Sequence, residues 1–303
     1  MNQIPTLSAT DVAAAADRIR PHVRRTPLLD LEIGGRRVIL KLEYLQRSGS
    51  FKLRGAVNAM LDSASDDHVV AASGGNHGLA VATAAALLGL PATVYLPETA
   101  PEAKARRIEE AGAHLVRHGA TFAEAASAAQ QAAAQPGHRF LHPYDDPAVV
   151  AGQGTLAAEV VADVPATDAF AVAAGGGGLT AGTALAAGGR HVVAVEPEGC
   201  RSLHDALAAG KPVNSPVDSV ASSALGASQI GEAAFGIVSA HGVESVLVSD
   251  EEILRARDRL WEECRIAVEP AAAASFAAWL AGRVPGELPC VVLCGANADW
   301  TAG

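Results

Sequence analysis

The feature that narrows the fold most is a rhythm. Short runs rich in β-branched residues alternate with longer, alanine-rich helical runs through most of the chain. Strands are expected at residues 38–40, 69–72, 93–96, 114–117, 169–173, 191–195 and 290–294. Helices are expected at 11–23, 53–61, 77–88, 101–111, 122–134, 147–161, 179–187, 250–264 and 270–281. Strand followed by helix, repeatedly, implies parallel strands joined by crossover helices: an α/β protein of open sheets covered by helices. Half of the 303 residues are hydrophobic but only 4% are aromatic, with alanine supplying much of the apolar share, which suits helices. There is no repeat of fixed period and no long linker, and the length allows one large domain or two intimate ones.

Several function classes are excluded early. A formal charge of −10 argues against nucleic acid or an anionic membrane as the main partner. Residues 1–10 carry no basic or apolar region of a signal peptide. The best apolar run, 271–281, is too short to span a bilayer. The cysteines, Cys200, Cys264, Cys290 and Cys294, form no CxxC pair. On an extended strand Cys290 and Cys294 lie on the order of 13 Å apart, too far for a disulfide. The expectation is a reduced, cytoplasmic protein that binds neither nucleic acid nor membrane.

Four segments carry chemistry. In Ser48-Gly49-Ser50-Phe51-Lys52-Leu53-Arg54-Gly55, a lysine stands between an aromatic ring and the start of a helix. A single lysine is usually a solvated surface charge. Here the small residues before it let backbone approach a ligand, and the helix's positive end lowers an amine's pKa. That suits a lysine that is neutral part of the time, as a Schiff-base lysine is. Gly175-Gly176-Gly177-Gly178-Leu179 follows a strand and opens a helix. Four consecutive glycines are entropically costly for a plain turn, but they free backbone N–H groups to converge on a phosphate at the helix terminus. A dinucleotide site competes, with Glu196 about twenty residues on. Only the relaxed GxGxxA form fits, from Gly176 through Gly178 to Ala181, and such a match is almost automatic in a glycine run. Ser73-Gly74-Gly75-Asn76-His77-Gly78 lies between another strand and helix, where amides and the Asn76 side chain can hold a carboxylate and a ring hydroxyl; Asn76 as a plain N-cap is compatible with that. Read alone, Cys294 in Leu293-Cys294-Gly295 is a small buried hydrophobe.

Together with Lys41-Leu42-Glu43, the lysine octet resembles the cofactor motif of the serine/threonine dehydratase family, the β-elimination branch of fold-type II pyridoxal-phosphate (PLP) enzymes. The other segments match in order, from about residue 20 to 300. The resemblance implies two open, mostly parallel sheets, with a small domain (45–148) inserted in a large PLP-binding one (1–44 and 149–303). No regulatory domain is expected after residue 303, and a homodimer is. It further implies that Phe51 and Lys52 hold the cofactor, that Gly175, Gly176, Gly177, Gly178 and Leu179 bind its phosphate, and that Asn76 bonds its ring oxygen. Glu269 lies near the ring, and Cys294 faces the pyridine nitrogen as a neutral donor, favouring expulsion of a β-leaving group. Ser73, Gly74, Gly75, Asn76 and His77 grip the substrate carboxylate, with Lys52 and Ser73 in catalytic roles. His142-Pro143-Tyr144-Asp145-Asp146-Pro147, with 152–155, resembles the family's return into the large domain. Glu196 matches a cation-binding glutamate. Relatives with a divalent site have aspartate where Ser202 stands, so a monovalent cation is the expectation.

The implied activity is that of a PLP-dependent ammonia-lyase converting a β-hydroxy amino acid, L-serine or L-threonine first, into a 2-oxo acid and ammonia. Alternatives are a bulkier β-hydroxy substrate, β-replacement as in cysteine synthases, which typically carry Thr-Ser-Gly-Asn-Thr where this chain has Ser73 to His77, and a catalytically silent binding protein. One departure is informative. The commoner motif has a second serine where Gly74 stands, and in the family's racemases that serine protonates the opposite face of Cα. Gly74 has no side chain to do so, which predicts elimination with little racemisation.

Overall fold

The computed structural model describes residues 7–63 and 67–298. Residues 1–6 and 299–303, which bear on the expectations about a leader and a further domain, lie outside the described residues. The strands are β1 (Leu28–Ile33), β2 (Arg36–Lys41), β3 (His68–Ala72), β4 (Ala92–Leu96), β5 (His114–Arg117), β6 (His138–Phe140), β7 (Ala169–Ala173), β8 (His191–Pro197), β9 (Glu244–Val248) and β10 (Cys290–Val292). They form a six-stranded sheet in the order β1-β2-β10-β7-β8-β9 and a four-stranded sheet in the order β5-β4-β3-β6. The smaller sheet is wholly parallel. In the larger one only the β1–β2 hairpin, turning at Gly34-Gly35, is antiparallel. The fold is therefore the expected one: two open, mostly parallel sheets covered by helices.

Each sheet has its own core. Around the larger, Val38, Leu40, Phe170, Val172, Val193, Val195 and Val291 are all buried, as expected of strands covered on both faces. The helix Pro270–Leu280 packs there with every residue from Ala271 to Trp279 buried, because alanine lets a helix approach a sheet closely. Around the smaller, Leu53, Val57, Val69, Val81 and Val94 meet. The helices Pro147–Asp163 and Gly178–Ala186 cross at glycines: a Cβ on Gly154 would sit 2.5 Å from the Gly182 carbonyl oxygen. That close crossing fixes where the second helix begins, and the glycine loop precedes it.

Differences from expectation have local causes. The first helix, Ala9–Ile19, stops short of residue 23 because Pro21 has no N–H to donate back into it. Strand β10 ends at Val292 rather than 294. Beyond it, backbone groups bond the 41–51 segment instead: Leu293 N–H donates to Lys41, Tyr44 N–H to Leu293, Phe51 N–H to Cys294 and Ala296 N–H to Gly49. Strands β6 and β9 and the helix Glu232–Ala240 were not expected; β6 has three residues, and short elements show little periodicity.

Beneath the Lys52 helix (Lys52–Asp62) lies a buried ion cluster. The Arg54 guanidinium donates to both Glu43 oxygens, each at 2.8 Å, and to Glu159 at 2.8 and 2.9 Å. Lys41 Nζ donates to Glu159 at 2.6 Å and to the Thr26 carbonyl at 2.8 Å, and the Thr26 hydroxyl donates to Glu43. Lys41, Glu43 and Arg54 are fully buried. Desolvation alone would raise the Glu43 pKa, yet the adjacent Arg54 holds it below the usual carboxylate range. Glu43→Ala strips one partner from a buried guanidinium and is expected to cost about 3–5 kcal/mol in denaturant unfolding. Asp163→Ala, which breaks the exposed Arg25 pair, is expected to cost no more than about 1 kcal/mol. Equal losses would contradict this account of the cluster.

Candidate active site

A cavity of about 620 Å³ opens between the sheets, just past the carboxyl ends of β3, β7 and β10, where open parallel sheets place ligands. It brings together Phe51, Lys52, Ser73, Gly74, Gly75, Asn76, His77, Gly175 to Gly178, Leu179, Glu269 and Cys294, segments far apart in sequence. Of the expected site residues only Glu196 lies elsewhere. Its buried carboxylate accepts from the amides of Leu203 and His204, both at 2.8 Å, at the start of the helix Ser202–Ala209. Burial pushes this carboxyl up to about 8. Among the described residues no cluster of three or more His, Cys, Asp or Glu side chains is arranged for a metal.

Lys52 is the first residue of its helix. Its Nζ donates to the Pro143 carbonyl at 2.7 Å and lies 5.2 Å from the centre of the Phe51 ring. Loss of water around it pulls the amine down to about 8. Burial is thus the main cause, where the sequence pointed to the helix terminus. Burial also raises the Cys294 pKa far enough to keep the thiol neutral. His77 is buried, and its Nε2 bonds the Leu141 carbonyl at 2.9 Å, which makes that nitrogen the N–H donor. Burial, with Lys52 nearby, drives its pKa down to about 3, so it stays neutral.

Asn76 does not work alone. Its Nδ2 donates to Glu269 at 2.7 Å, and its Oδ1 accepts from Asn297 Nδ2 at 2.8 Å. Asn297 in turn bonds the Ser48 carbonyl through Nδ2 and Glu269 through its backbone amide. This fixes the amide plane and, among the described residues, leaves the second Nδ2 hydrogen without a protein acceptor. Ser73 Oγ accepts from Gly75 N–H at 3.2 Å, shaping its loop.

The glycine run forms a cradle. A Cβ on Gly176 would lie 2.2 Å from ring atoms of Tyr144, and Gly177 has φ of 87°. Among the described residues, the amides of Gly176, Gly177, Gly178 and Leu179 donate to no protein acceptor. The Thr180 hydroxyl, on the cavity wall, is buried without a partner. Orphaned donors at a helix N-terminus are what a phosphate requires. With the low-pKa amine of Lys52 in the same cavity, these residues fit a phosphate-bearing aldehyde.

The model of the family "Pyridoxal-phosphate dependent enzyme" matches residues 19–295. The chain belongs to that family. It is 40% identical to the L-threonine ammonia-lyase of Geobacter sulfurreducens, over 97% of this chain and 76% of that protein. It is 35% identical to the L-threo-3-hydroxyaspartate ammonia-lyase of Saccharomyces cerevisiae, over 98% and 94%. The crystal structure of T.th. threonine deaminase superposes with a TM-score of 0.92 at 34% identity, covering 98% of this chain and 100% of that one. The family's fold-type II architecture is the one described above. Sequence reasoning assigned no role to Asn297, Thr180 or the Pro143 carbonyl. Asn297 follows a strand end already singled out, so its place was a usable signal; a carbonyl acceptor leaves none.

The Lys52 amine attacks an aldehyde only when unprotonated. The rate at which PLP attaches to the cofactor-free protein should therefore rise with pH and level off above about 8. Stopped-flow absorbance of the bound chromophore measures it. A plateau reached only near the ordinary lysine value of about 10.4 would contradict the burial account.

Proposed function

We propose that the protein is a PLP-dependent ammonia-lyase that converts L-serine or L-threonine into the corresponding 2-oxo acid and ammonia. The observation that carries this is the meeting, in one cavity, of a low-pKa lysine, an amide-lined cradle and a neutral thiol. Its relatives' names, threonine and hydroxyaspartate ammonia-lyases, support the same class.

Phe51, Lys52, Asn76, Glu269, Cys294 and the 175–179 segment would hold the cofactor. When bound, PLP supplies the electron sink that stabilises negative charge at Cα. The loop from Ser73 to His77 holds the substrate carboxylate through its amides. The Lys52 amine, free of its proton, would take the Cα proton as general base. The neutral Cys294 thiol would leave the cofactor ring without a full positive charge, which favours prompt loss of the β-hydroxyl. Water lost across Cα–Cβ is regained in hydrolysis of the C–N bond, so no oxidant is needed. Ser73 would act by shaping the loop that holds the substrate carboxylate.

The same reading includes residues 45–148 as a small domain closing over the substrate, carried by the body formed from 1–44 and 149–303. It includes a cytoplasmic homodimer, in keeping with four free cysteines and with no helix among the described residues long and apolar enough to cross a membrane. It also includes a monovalent cation near Glu196, which would relieve a buried carboxylate that has no formal positive partner among the described residues.

Holoenzyme given L-serine or L-threonine should release oxo acid, read by coupled reduction. Because Gly74 offers no second acid–base group, and its Cβ position is crowded only by Leu96 at 3.2 Å, D-serine should not accumulate. Chiral analysis of residual serine during turnover checks this. D-serine forming as fast as pyruvate would overturn the argument from position 74, and absence of oxo acid from either substrate would overturn the reading itself.

A further inference from the structure

His142 has no role of its own in the sequence reading, and the structure gives it a constrained geometry. Residues 142–144 form one wall of the cavity, with Leu141 buried just before them. The Leu141 carbonyl accepts from His77, the Pro143 carbonyl accepts from Lys52, and the Tyr144 ring covers Gly176 of the cradle. The wall therefore runs from the carboxylate-gripping loop, past the amine, to the phosphate cradle. His142 sits between the first two contacts and lines the cavity.

Its ring is fixed on one side. Nδ1 accepts from the backbone amides of Asp145 at 2.8 Å and Tyr144 at 3.3 Å. The ring packs edge-on against Tyr144, with centroids 4.7 Å apart. An Nδ1 that accepts two N–H bonds carries no proton, so the proton is on Nε2. Among the described residues Nε2 has no protein partner. The charged groups around the ring are Lys52, Asp145 and Asp146, and burial is the largest influence, holding its pKa below the ordinary value. The imidazole is thus a neutral, single-tautomer donor on the cavity wall.

We infer that the Nε2–H of His142 binds the β-hydroxyl of the substrate and selects for a hydroxyl at that carbon. The α-carboxylate already has the amides of the 73–77 loop, and the amine is committed to the Lys52 position. Of the polar groups on a β-hydroxy amino acid, only the hydroxyl is without a protein partner between loop and cradle. A neutral imidazole donor orients that oxygen without protonating it, so no proton changes hands at His142. The inference rests on the ammonia-lyase reading above and names the group that recognises its substrate class.

The test compares L-serine with β-chloro-L-alanine, which has the same carboxylate and amine but leaves as chloride with no hydroxyl to bind. Asparagine places an amide oxygen near the Nδ1 position and keeps the acceptor for the 144–145 amides, but it removes the Nε2–H. In His142→Asn holoenzyme, the ratio of initial-rate kcat/KM for L-serine to that for β-chloro-L-alanine is expected to fall about tenfold, the worth of one neutral hydrogen bond. An unchanged ratio, or an equal loss on both substrates, overturns the inference and assigns His142 to the loop or the carboxylate. If His142→Asn does not fold, His142→Gln decides, because its amide N–H reaches toward the Nε2 position. It should keep most of the unmodified ratio, and a full loss counts against the proposal. Independently, the 15N shifts of His142 in the unmodified holoenzyme should show the neutral Nε2–H tautomer across about pH 6 to 8. A ring protonated at both nitrogens, or the Nδ1–H tautomer, overturns it. Failure of the unmodified protein to turn over either amino acid is a separate result and counts against the ammonia-lyase reading instead.

Discussion

The structure depends on a guanidinium that has nowhere to go. Arg54 is fully buried and bonded to Glu43 and Glu159, and it stands two residues after Lys52 on the same helix. Glu43 follows β2, and Glu159 belongs to the helix Pro147–Asp163. One ion cluster therefore joins the end of β2 in the larger sheet, the Lys52 helix and a helix that leads toward the glycine cradle. Breaking such a cluster leaves an uncompensated buried charge, which is expensive. Its chemical consequence is that the first turn of the helix cannot drift. The Lys52 amine can then stay in a place poor in water, where its pKa falls to about 8.

Small residues do the complementary work. Gly154 and Gly182 let two helices touch at their backbones, and a run of buried alanines lets the helix Pro270–Leu280 press on the sheet. Close packing places the glycine cradle against Tyr144, while Glu269, at the start of that alanine helix, reaches Asn76 and the Asn297 amide. The buried Glu269 carboxylate and the Asn76 amide are thereby paired within the protein. Among the described groups left without a protein partner, the amides of 176–179 and the Thr180 hydroxyl line the cavity.

The sequence made much of this legible for physical reasons. Long helices, whether strongly periodic like Asp250–Cys264 or apolar and alanine-rich like Pro147–Asp163, and strands covered on both faces were readable from pattern alone. The lysine octet, the asparagine loop and the glycine run were readable because each combines small residues with one chemical group at an element boundary. Tertiary facts were not. Nothing at Pro143 marks its carbonyl as the partner of Lys52. Thr180 reads as one more helix residue, and Asn297 acquires meaning only when the chain returns to Ser48 and Asn76. The low pKa of Lys52 was foreseen, but its main cause is desolvation, which depends on what the other segments bring around it.

The account turns on Lys52 being the residue that carries the cofactor, and the chain offers only Lys41, Lys104 and Lys211 besides it. Borohydride reduction of the holoenzyme followed by peptide mapping measures this directly. The pyridoxyl group is expected on Lys52 alone. Lys41 is committed to Glu159 inside the ion cluster. A pyridoxyl adduct on Lys41, Lys104 or Lys211, with Lys52 unmodified, would contradict the placement of the active site described above.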